Sequence, residues 1–207
     1  MFIIINNTGK LRFRQPLFWF DTCQHLRYNT LAEGGRTLTD TVYQTCCFTG
    51  HRESKLPWLQ NENDARCLQL KHRIFDVVEA VYADGIRHYI CGMANGCDLY
   101  FLEAVLRFRS VHPEVTVEAA IPYAGQADHW RGPLRDRYFS LLEQCDCKTV
   151  VQQHYSGGCM MRRNRYMVDQ SRVLIAAYNG EPGGTMNTML YAMRRGLNVI
   201  EIPVETE

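Results

Sequence analysis

The chain has 207 residues, of which 46% are hydrophobic and 22% are charged, and its formal net charge is +1. This length suffices for one domain with a substantial core. The near-neutral charge gives no global bias toward nucleic acid or an acidic membrane surface. No apolar run approaches the roughly 20 residues that a membrane-spanning helix needs. The start lacks the basic and apolar regions of an export signal, so we expect the nine cysteines to be reduced thiols of a cytoplasmic protein.

Residues 1–40 show no sustained hydrophobic period, and we interpret them as an N-terminal extension, docked or loose, ahead of a domain at residues 41–207. From residue 42 onward, strand-like and helix-like segments alternate. The predicted strands are 42–48, 86–91, 115–121, 148–152, 173–178 and 198–202. The predicted helices are 62–84, a helix ending near 111, a helix from 133, then 160–170 and a last helix that residues 183–185 open and that ends at 195. Because the strands include continuously apolar runs, the alternation predicts an α/β fold whose parallel sheet is covered on both faces.

Three loops that follow predicted strands have the composition of a phosphate site. They are Thr49-Gly50-His51-Arg52, then Gly92-Met93-Ala94-Asn95-Gly96-Cys97-Asp98, and Gly180-Glu181-Pro182-Gly183-Gly184-Thr185. Right-handed crossovers bring such loops to one edge of the sheet. Glycines at strand–helix turns leave backbone N–H groups open to an anion, although each loop alone could be only a tight turn. The sequence therefore predicts a phosphate-binding crevice, without the standard dinucleotide or P-loop fingerprint.

The same loops, in the same order, resemble the SLOG superfamily of SMF/DprA and LOG proteins. The resemblance covers residues 44–203 and includes Arg163-Asn164-Arg165, which is similar to the Arg-Asn-Arg of the DNA-binding DprA proteins. The Thr-Gly-His-Arg start and the run at 166–169 look most like the YspA/YoqJ branch. The resemblance implies a Rossmann-like three-layer sandwich with a mostly parallel sheet, a pocket for nucleotides or their derivatives, and self-association into a homo-oligomer.

The chain departs from the LOG phosphoribohydrolases in their catalytic motif, Pro-Gly-Gly-x-Gly-Thr-x-x-Glu. After Pro182-Gly183-Gly184-Thr185 the third glycine and the glutamate are both missing. Asp98 is the remaining candidate for a catalytic carboxylate; it could also accept a ribose hydroxyl, as Asn95 could, or simply stabilise a helix N-terminus. Glu181 is the other loop carboxylate that a hydrolase could use.

Other side chains have both a ligand-binding and a structural interpretation. Arg52 could pair with a phosphate. His51 is expected to hydrogen-bond a loop backbone, with proton transfer as its alternative. Asn164 is expected in the pocket, beside a basic cluster of Arg162, Arg163 and Arg165. Thr185 is expected to cap the last helix and donate to a phosphate.

Two further pairs of residues also have both kinds of interpretation. Tyr123 and Trp130 could stack on a base or only pack beneath their loop. Cys145 and Cys147 lack the second pair that a zinc site needs, so no metal or tightly held cofactor is predicted.

These features favour a sensor or regulatory module that binds a nucleotide-like small molecule through its glycine loops. The ligand-binding residues so predicted are Thr49, Gly50, His51, Arg52, Gly92, Met93, Ala94, Asn95, Gly96, Asp98, Arg163, Asn164, Gly183, Gly184 and Thr185. An N-glycosidic hydrolase of nucleotide derivatives is the first alternative. DprA-like binding of single-stranded DNA is the second, and the net charge of +1 disfavours it.

Overall fold

A computed structural model describes residues 2–5, 11–14 and 38–205 of the chain. The strands are β1 (Phe2–Ile5), β2 (Leu11–Arg14), β3 (Thr45–Gly50), β4 (His88–Cys91), β5 (Thr116–Ile121), β6 (Cys147–Val150), β7 (Val173–Tyr178) and β8 (Asn198–Pro203). The helices are α1 (Leu38–Tyr43), α2 (Ala65–Ala83), α3 (Cys97–Arg109), α4 (Gly132–Glu143), α5 (Cys159–Asp169) and α6 (Gly184–Arg194), and a 3-10 helix covers Glu53–Lys55.

The strands form one sheet in the order β2-β1-β8-β7-β3-β4-β5-β6. Every neighbouring pair is parallel except β1 and β2, which are antiparallel. The mostly parallel sheet predicted from the sequence is therefore confirmed. β1 pairs with β8 in the register Ile3↔Ile200, so part of the predicted extension continues the sheet. Residues 6–10 and 15–37 of that extension lie outside the described residues.

Helices cover both faces of the sheet, as the sequence predicted. Alternate residues of a strand point to opposite faces. In β3, Phe48 packs with the apolar faces of α2, α3 and α4, whereas Cys47 packs with α5 and α6. The two layers of helices and the sheet between them make the three-layer Rossmann-like sandwich. None of the helices within the described ranges is long and apolar enough to cross a membrane.

Two element boundaries differ from the sequence prediction, for local reasons. Residues 42 and 43 were predicted as strand from their β propensity, but they belong to α1. The strand begins only at Thr45, after Gln44 donates its N–H to the Thr41 carbonyl in a turn. The next helix was predicted from residue 62 and begins at Ala65, because the Asp64 carboxylate accepts the Arg66 N–H at 2.9 Å as a helix cap.

Cysteines fill apolar positions in this core. The described part of the chain holds eight free cysteines, of which Cys147 is exposed and the other seven are buried. Burial raises the pKa of the Cys47 thiol to about 12, which keeps it protonated and unreactive at neutral pH.

The apolar face of α2 provides a test of the fold. Leu70 is 3% exposed and Leu68, two residues earlier on the same helix, is 46% exposed. We expect Leu70→Ala to lower the free energy of unfolding by about 2–5 kcal/mol, because it leaves a cavity in the core. Leu68→Ala is the matched control, with an expected change within about 0.5 kcal/mol. Urea denaturation measures both, and equal losses would contradict the assigned face of α2.

Candidate functional site

The predicted ligand loops follow β3, β4 and β7, which are neighbours in the order β7-β3-β4. From β3 the chain passes through α2 to β4 on one side, whereas β7 lies on the other side and leads to α6 on the opposite face. The order of strands thus reverses at β3. In open parallel sheets, ligands bind at the carboxyl ends of the strands where the order reverses.

A crevice of about 310 Å³ opens at this edge, and we call it the glycine lobe. Its volume is at the lower end of the range for small-molecule sites. It is lined by Phe48, Thr49, Gly50, His51, Arg52, Ser54, Lys55, Ala94, Asp98, Met160, Arg163, Asn164, Gly183, Gly184 and Thr185. Eleven of the fifteen predicted site residues are in this set. Of the others, Asn95 lines a neighbouring lobe, and Gly92, Met93 and Gly96 line neither.

The second glycine loop, residues 92–96, is bonded to the protein itself. The Ala94 N–H donates to Asp98 Oδ2 at 3.1 Å, and the Met93 N–H donates to the Cys91 sulfur at 3.4 Å. The expectation that amides of this loop are free for a phosphate therefore does not hold for these two. Their partners are already present, because Asp98 in the first turn of α3 folds back over the loop.

Glycine and a strained backbone are needed in this loop for close packing. A Cβ on Gly92 would overlap Arg163 Nη1 and lie 2.6 Å from Asp98 Oδ2. Gly96 has a φ of 100°, and its Cβ would meet the Glu53 nitrogen at 2.5 Å. Met93 has a φ of 58°, unusual for a residue with a side chain, and is fully buried. Strained residues that persist are held in place by their surroundings and often lie at functional sites.

Arg163 and Asp98 form a buried pair at the floor of the glycine lobe. They are 4% and 5% exposed, and Arg163 Nη1 lies 3.7 Å from Asp98 Oδ2. Arg163 Nη1 donates to the Gly92 carbonyl, whereas its Nε is buried without a partner in the described chain. Burial raises the pKa of the Asp98 carboxyl and lowers that of Arg163, and their mutual attraction only partly opposes both shifts. The charge of Arg163 is thus only partly compensated by Asp98, and an anion beside Arg163 would compensate it further.

The third loop leaves the first turn of α6 open. Gly183 occupies the N-cap position and has no side-chain hydrogen bond, so Thr185 is not the N-cap residue that the sequence suggested. The first N–H groups of a helix have no partner within it, and the helix dipole is positive at that end. Thr185 is buried in the first turn and lines the lobe.

Two cations stand at this end of α6. Lys55 Nζ lies 3.4 Å from the position that a Gly183 Cβ would occupy, and Arg52 lines both lobes. Within the described ranges, neither side chain makes a hydrogen bond or an ion pair. A cation at the positive end of a helix is repelled by the dipole, so this arrangement has an electrostatic deficit that an anion would remove.

His51 has the structural role that the sequence favoured. Its Nε2 accepts the Asn179 N–H at 3.2 Å, and its ring stacks on Tyr178 with centroids 5.8 Å apart. Burial lowers the pKa of His51, and the nearby Lys55 charge acts in the same direction. The imidazole is therefore held neutral at physiological pH, and it joins the first loop to the end of β7.

The basic cluster on α5 does not act as one surface. Only Arg163 and Asn164 line the glycine lobe, and Asn164 donates to the Thr188 hydroxyl at 2.7 Å. Arg162 is exposed and donates to the Gly157 carbonyl at 3.1 Å. Arg165 is also exposed, with its guanidinium 5.5 Å from the Tyr191 ring centroid. These two arginines lie outside the lobe.

A second lobe of about 310 Å³ adjoins the first, and we call it the aromatic lobe. It is lined by Arg52, Glu53, Ser54, Ala94, Asn95, Tyr123, Gln126, Trp130, Leu134 and Met160. Tyr123 and Trp130, whose role the sequence left open, both line it. Asn95 donates to Glu53 at 2.7 Å, so its amide is already engaged.

Sequence reasoning missed several residues that line one or both lobes, among them Glu53, Ser54, Lys55, Gln126, Leu134 and Met160. Ser54 and Lys55 belong to a 3-10 helix of three residues, which is too short to show a hydrophobic period. Their only signal is a basic and a hydroxyl side chain directly after Arg52. Met160 lies in the first turn of α5, where nothing in its local sequence marks a ligand site.

The fold and the site define a class of protein: a Rossmann-like domain with glycine-bearing loops at the switch point of its sheet. The profile of the YspA SLOG family matches residues 46–202. The chain belongs to this family, and the resemblance drawn from its sequence is confirmed. It is similar to the UPF0398 protein of Halalkalibacterium halodurans, at 22% identity over 71% of this chain and 78% of that protein.

Solved structures of DNA processing protein A share the fold. The protein of Streptococcus pneumoniae aligns with a TM-score of 0.50 and 14% identity, over 81% of this chain. This chain spans only about half of it, 52%. The protein of Helicobacter pylori, described for its single-stranded DNA binding mode, aligns with a TM-score of 0.53 and 15% identity, over 83% of this chain and 70% of that one. At such identities the likeness establishes the fold.

Gly92 provides a test of the buried pair. We expect Gly92→Ala to lower the free energy of unfolding by about 1–3 kcal/mol, because the added methyl group displaces Arg163 from the Gly92 carbonyl. Gly157→Ala is the matched control, since its Cβ would meet nothing within 4 Å and should change stability by less than about 0.5 kcal/mol. Chemical denaturation compares the two variants. An unperturbed Gly92→Ala protein would show that Arg163 does not occupy this position.

Proposed function

We propose that the chain binds a nucleotide or a nucleotide-derived small molecule, with a phosphate in the glycine lobe, as a sensor or regulatory module. One observation carries the proposal: three cations and one carboxylate line the crevice into which the uncapped N-terminus of α6 opens. The cations are Arg52, Lys55 and Arg163, and the carboxylate is Asp98. A phosphate at this point would meet free N–H groups, the positive end of the dipole and three basic side chains.

The roles of the two glycine loops differ in this proposal. Gly183, Gly184 and Thr185 contact the phosphate, because their end of α6 is open. The loop at 92–96 serves as a scaffold, because its Met93 and Ala94 amides are engaged and its Gly92 carbonyl holds Arg163. The ligand contacts this loop at Ala94, which lines both lobes.

Binding of single-stranded DNA has less support from the geometry. Single-stranded DNA binding is described for the Helicobacter pylori protein, and what this chain shares with that protein is the fold. The basic side chains on α5 that suggested it diverge, with Arg162 and Arg165 on the surface and Arg163 buried. A DNA backbone would need several cations along one accessible track.

A thermal-shift experiment tests the proposal directly. We expect AMP or ADP-ribose to raise the melting temperature of the wild-type chain, because a ligand that binds only the folded state stabilises it. Arg52→Ala and Lys55→Ala should each weaken binding about tenfold or more, since a hydrogen bond to a charged group contributes about 1.5–3 kcal/mol. Arg165→Ala removes an exposed arginine outside the lobe and should leave affinity unchanged. No shift with any nucleotide of a broad panel would refute the proposal.

Hydrolysis of the N-glycosidic bond is tested separately. Asp98 accepts the Ala94 N–H and lies beside Arg163, and Glu181 does not line the glycine lobe. Because the only carboxylate that lines the glycine lobe within the described residues is Asp98, which is already engaged, and because the LOG glutamate is missing, we expect incubation with nucleoside monophosphates to release no base. Chromatography measures the release. Free base from the wild-type chain, lost in Asp98→Asn, would establish a hydrolase instead.

A further inference from the structure

The aromatic lobe continues directly from the glycine lobe. Arg52, Ser54, Ala94 and Met160 line both, so one ligand can occupy the two lobes together. Each lobe has a volume of about 310 Å³, and a nucleotide is a ligand with two chemically distinct halves. Cations predominate in the glycine lobe, whereas the aromatic lobe has one cation, Arg52, and one carboxylate, Glu53, beside two rings and the apolar side chain of Leu134.

Each of the two rings of the aromatic lobe packs against a neighbouring ring. Trp130 packs edge-on against buried Tyr138, with centroids 5.1 Å apart, and Tyr123 packs edge-on against Tyr155 at 5.4 Å. The loop that carries them is closed by turns, in which Gln126 N donates to the Tyr123 carbonyl at 3.1 Å and Trp130 N donates to the Ala127 carbonyl at 3.0 Å. A ring that is packed against the core before binding, as Trp130 is against Tyr138, loses little conformational entropy when a ligand stacks on it.

Gln126 provides an independent sign of a missing partner. Its side chain is 7% exposed, and its Nε2 donates to the Met93 carbonyl, which fixes the orientation of the amide. Its Oε1 is buried and meets no donor in the described part of the chain. A buried acceptor without a donor is costly, and an N–H on the edge of a ligand ring in this lobe would be a partner for it.

We infer that the aromatic lobe is the subsite for the base of the ligand, a planar nitrogen heterocycle with an N–H donor on its edge. This inference rests on the proposed function, since a phosphate in the glycine lobe places the base of the same ligand in the adjoining aromatic lobe. Trp130 and Tyr123 give the stacking surface, and Gln126 accepts the hydrogen bond. The subsite makes the chain selective for nucleotides over sugar phosphates.

Paired ligands test the subsite. Isothermal titration with AMP and with ribose 5-phosphate separates the base from the phosphate. We expect Trp130→Ala to weaken AMP roughly tenfold or more, as for the loss of one base–aromatic stack, and to leave ribose 5-phosphate unchanged. Trp130→Phe keeps a ring and should retain most of the AMP affinity, which also guards against a folding defect in the alanine variant. Phe139→Ala removes a ring that packs on Tyr138 at 5.2 Å but lies outside both lobes, and should change neither ligand.

Fluorescence gives a second measurement. AMP should quench the emission of Trp130 in the wild-type chain, and the quenching should disappear in Trp130→Phe. Equal affinity of the wild type for AMP and ribose 5-phosphate, with Trp130→Ala affecting both ligands alike or neither, would overturn the base subsite and leave the phosphate site standing. Binding of neither ligand would overturn the phosphate site and the base subsite together.

Discussion

Arg163 joins the two helix layers of the molecule at the edge of the sheet where the loops meet. It belongs to α5 on one face, and it donates to the carbonyl of Gly92 at the end of β4, whose helix α3 packs on the other face. Asp98, at the start of α3, lies beside it and holds the loop through Ala94. The shape of both lobes depends on this contact, because it fixes the loop that separates the floor of the crevice from the core.

This contact explains why the second glycine loop has its composition. Gly92 has no side chain because Arg163 occupies the space that a Cβ would need, and Gly96 adopts a left-handed conformation against the backbone of the first loop. These two glycines therefore allow close packing between segments of the same chain. The glycines at the start of α6 are different, since a Cβ on Gly184 would meet nothing within 4 Å and one on Gly183 would meet only Lys55 Nζ, at 3.4 Å. The two glycine-bearing loops thus have different physical reasons for glycine.

The sequence predicted the fold closely because its signals are local. The buried face of α2 recurs at three- and four-residue steps, and apolar β7 stands between clear turns, so both were found. The hydrogen bonds that occupy the loop amides could not be predicted from such local patterns. Arg163, which donates to the Gly92 carbonyl, is 71 residues away from it in the sequence. Lys55 and Gly183, which lie side by side at the start of α6, are separated by more than half of the chain. Local patterns predicted where the loops meet, whereas long-range packing decides which of their groups stay free.

The free groups that remain are predominantly of one electrostatic sign. Arg52 and Lys55 have no ion pair in the described chain, Arg163 keeps an unpartnered Nε, and the open end of α6 adds the positive end of a dipole. Such a concentration of positive charge is unfavourable in the folded state by itself, and a charged ligand removes the penalty on binding. A neutral ligand would leave it in place. Under the proposed function, the glycine lobe would therefore select for anions, and the aromatic lobe beside it would discriminate among them.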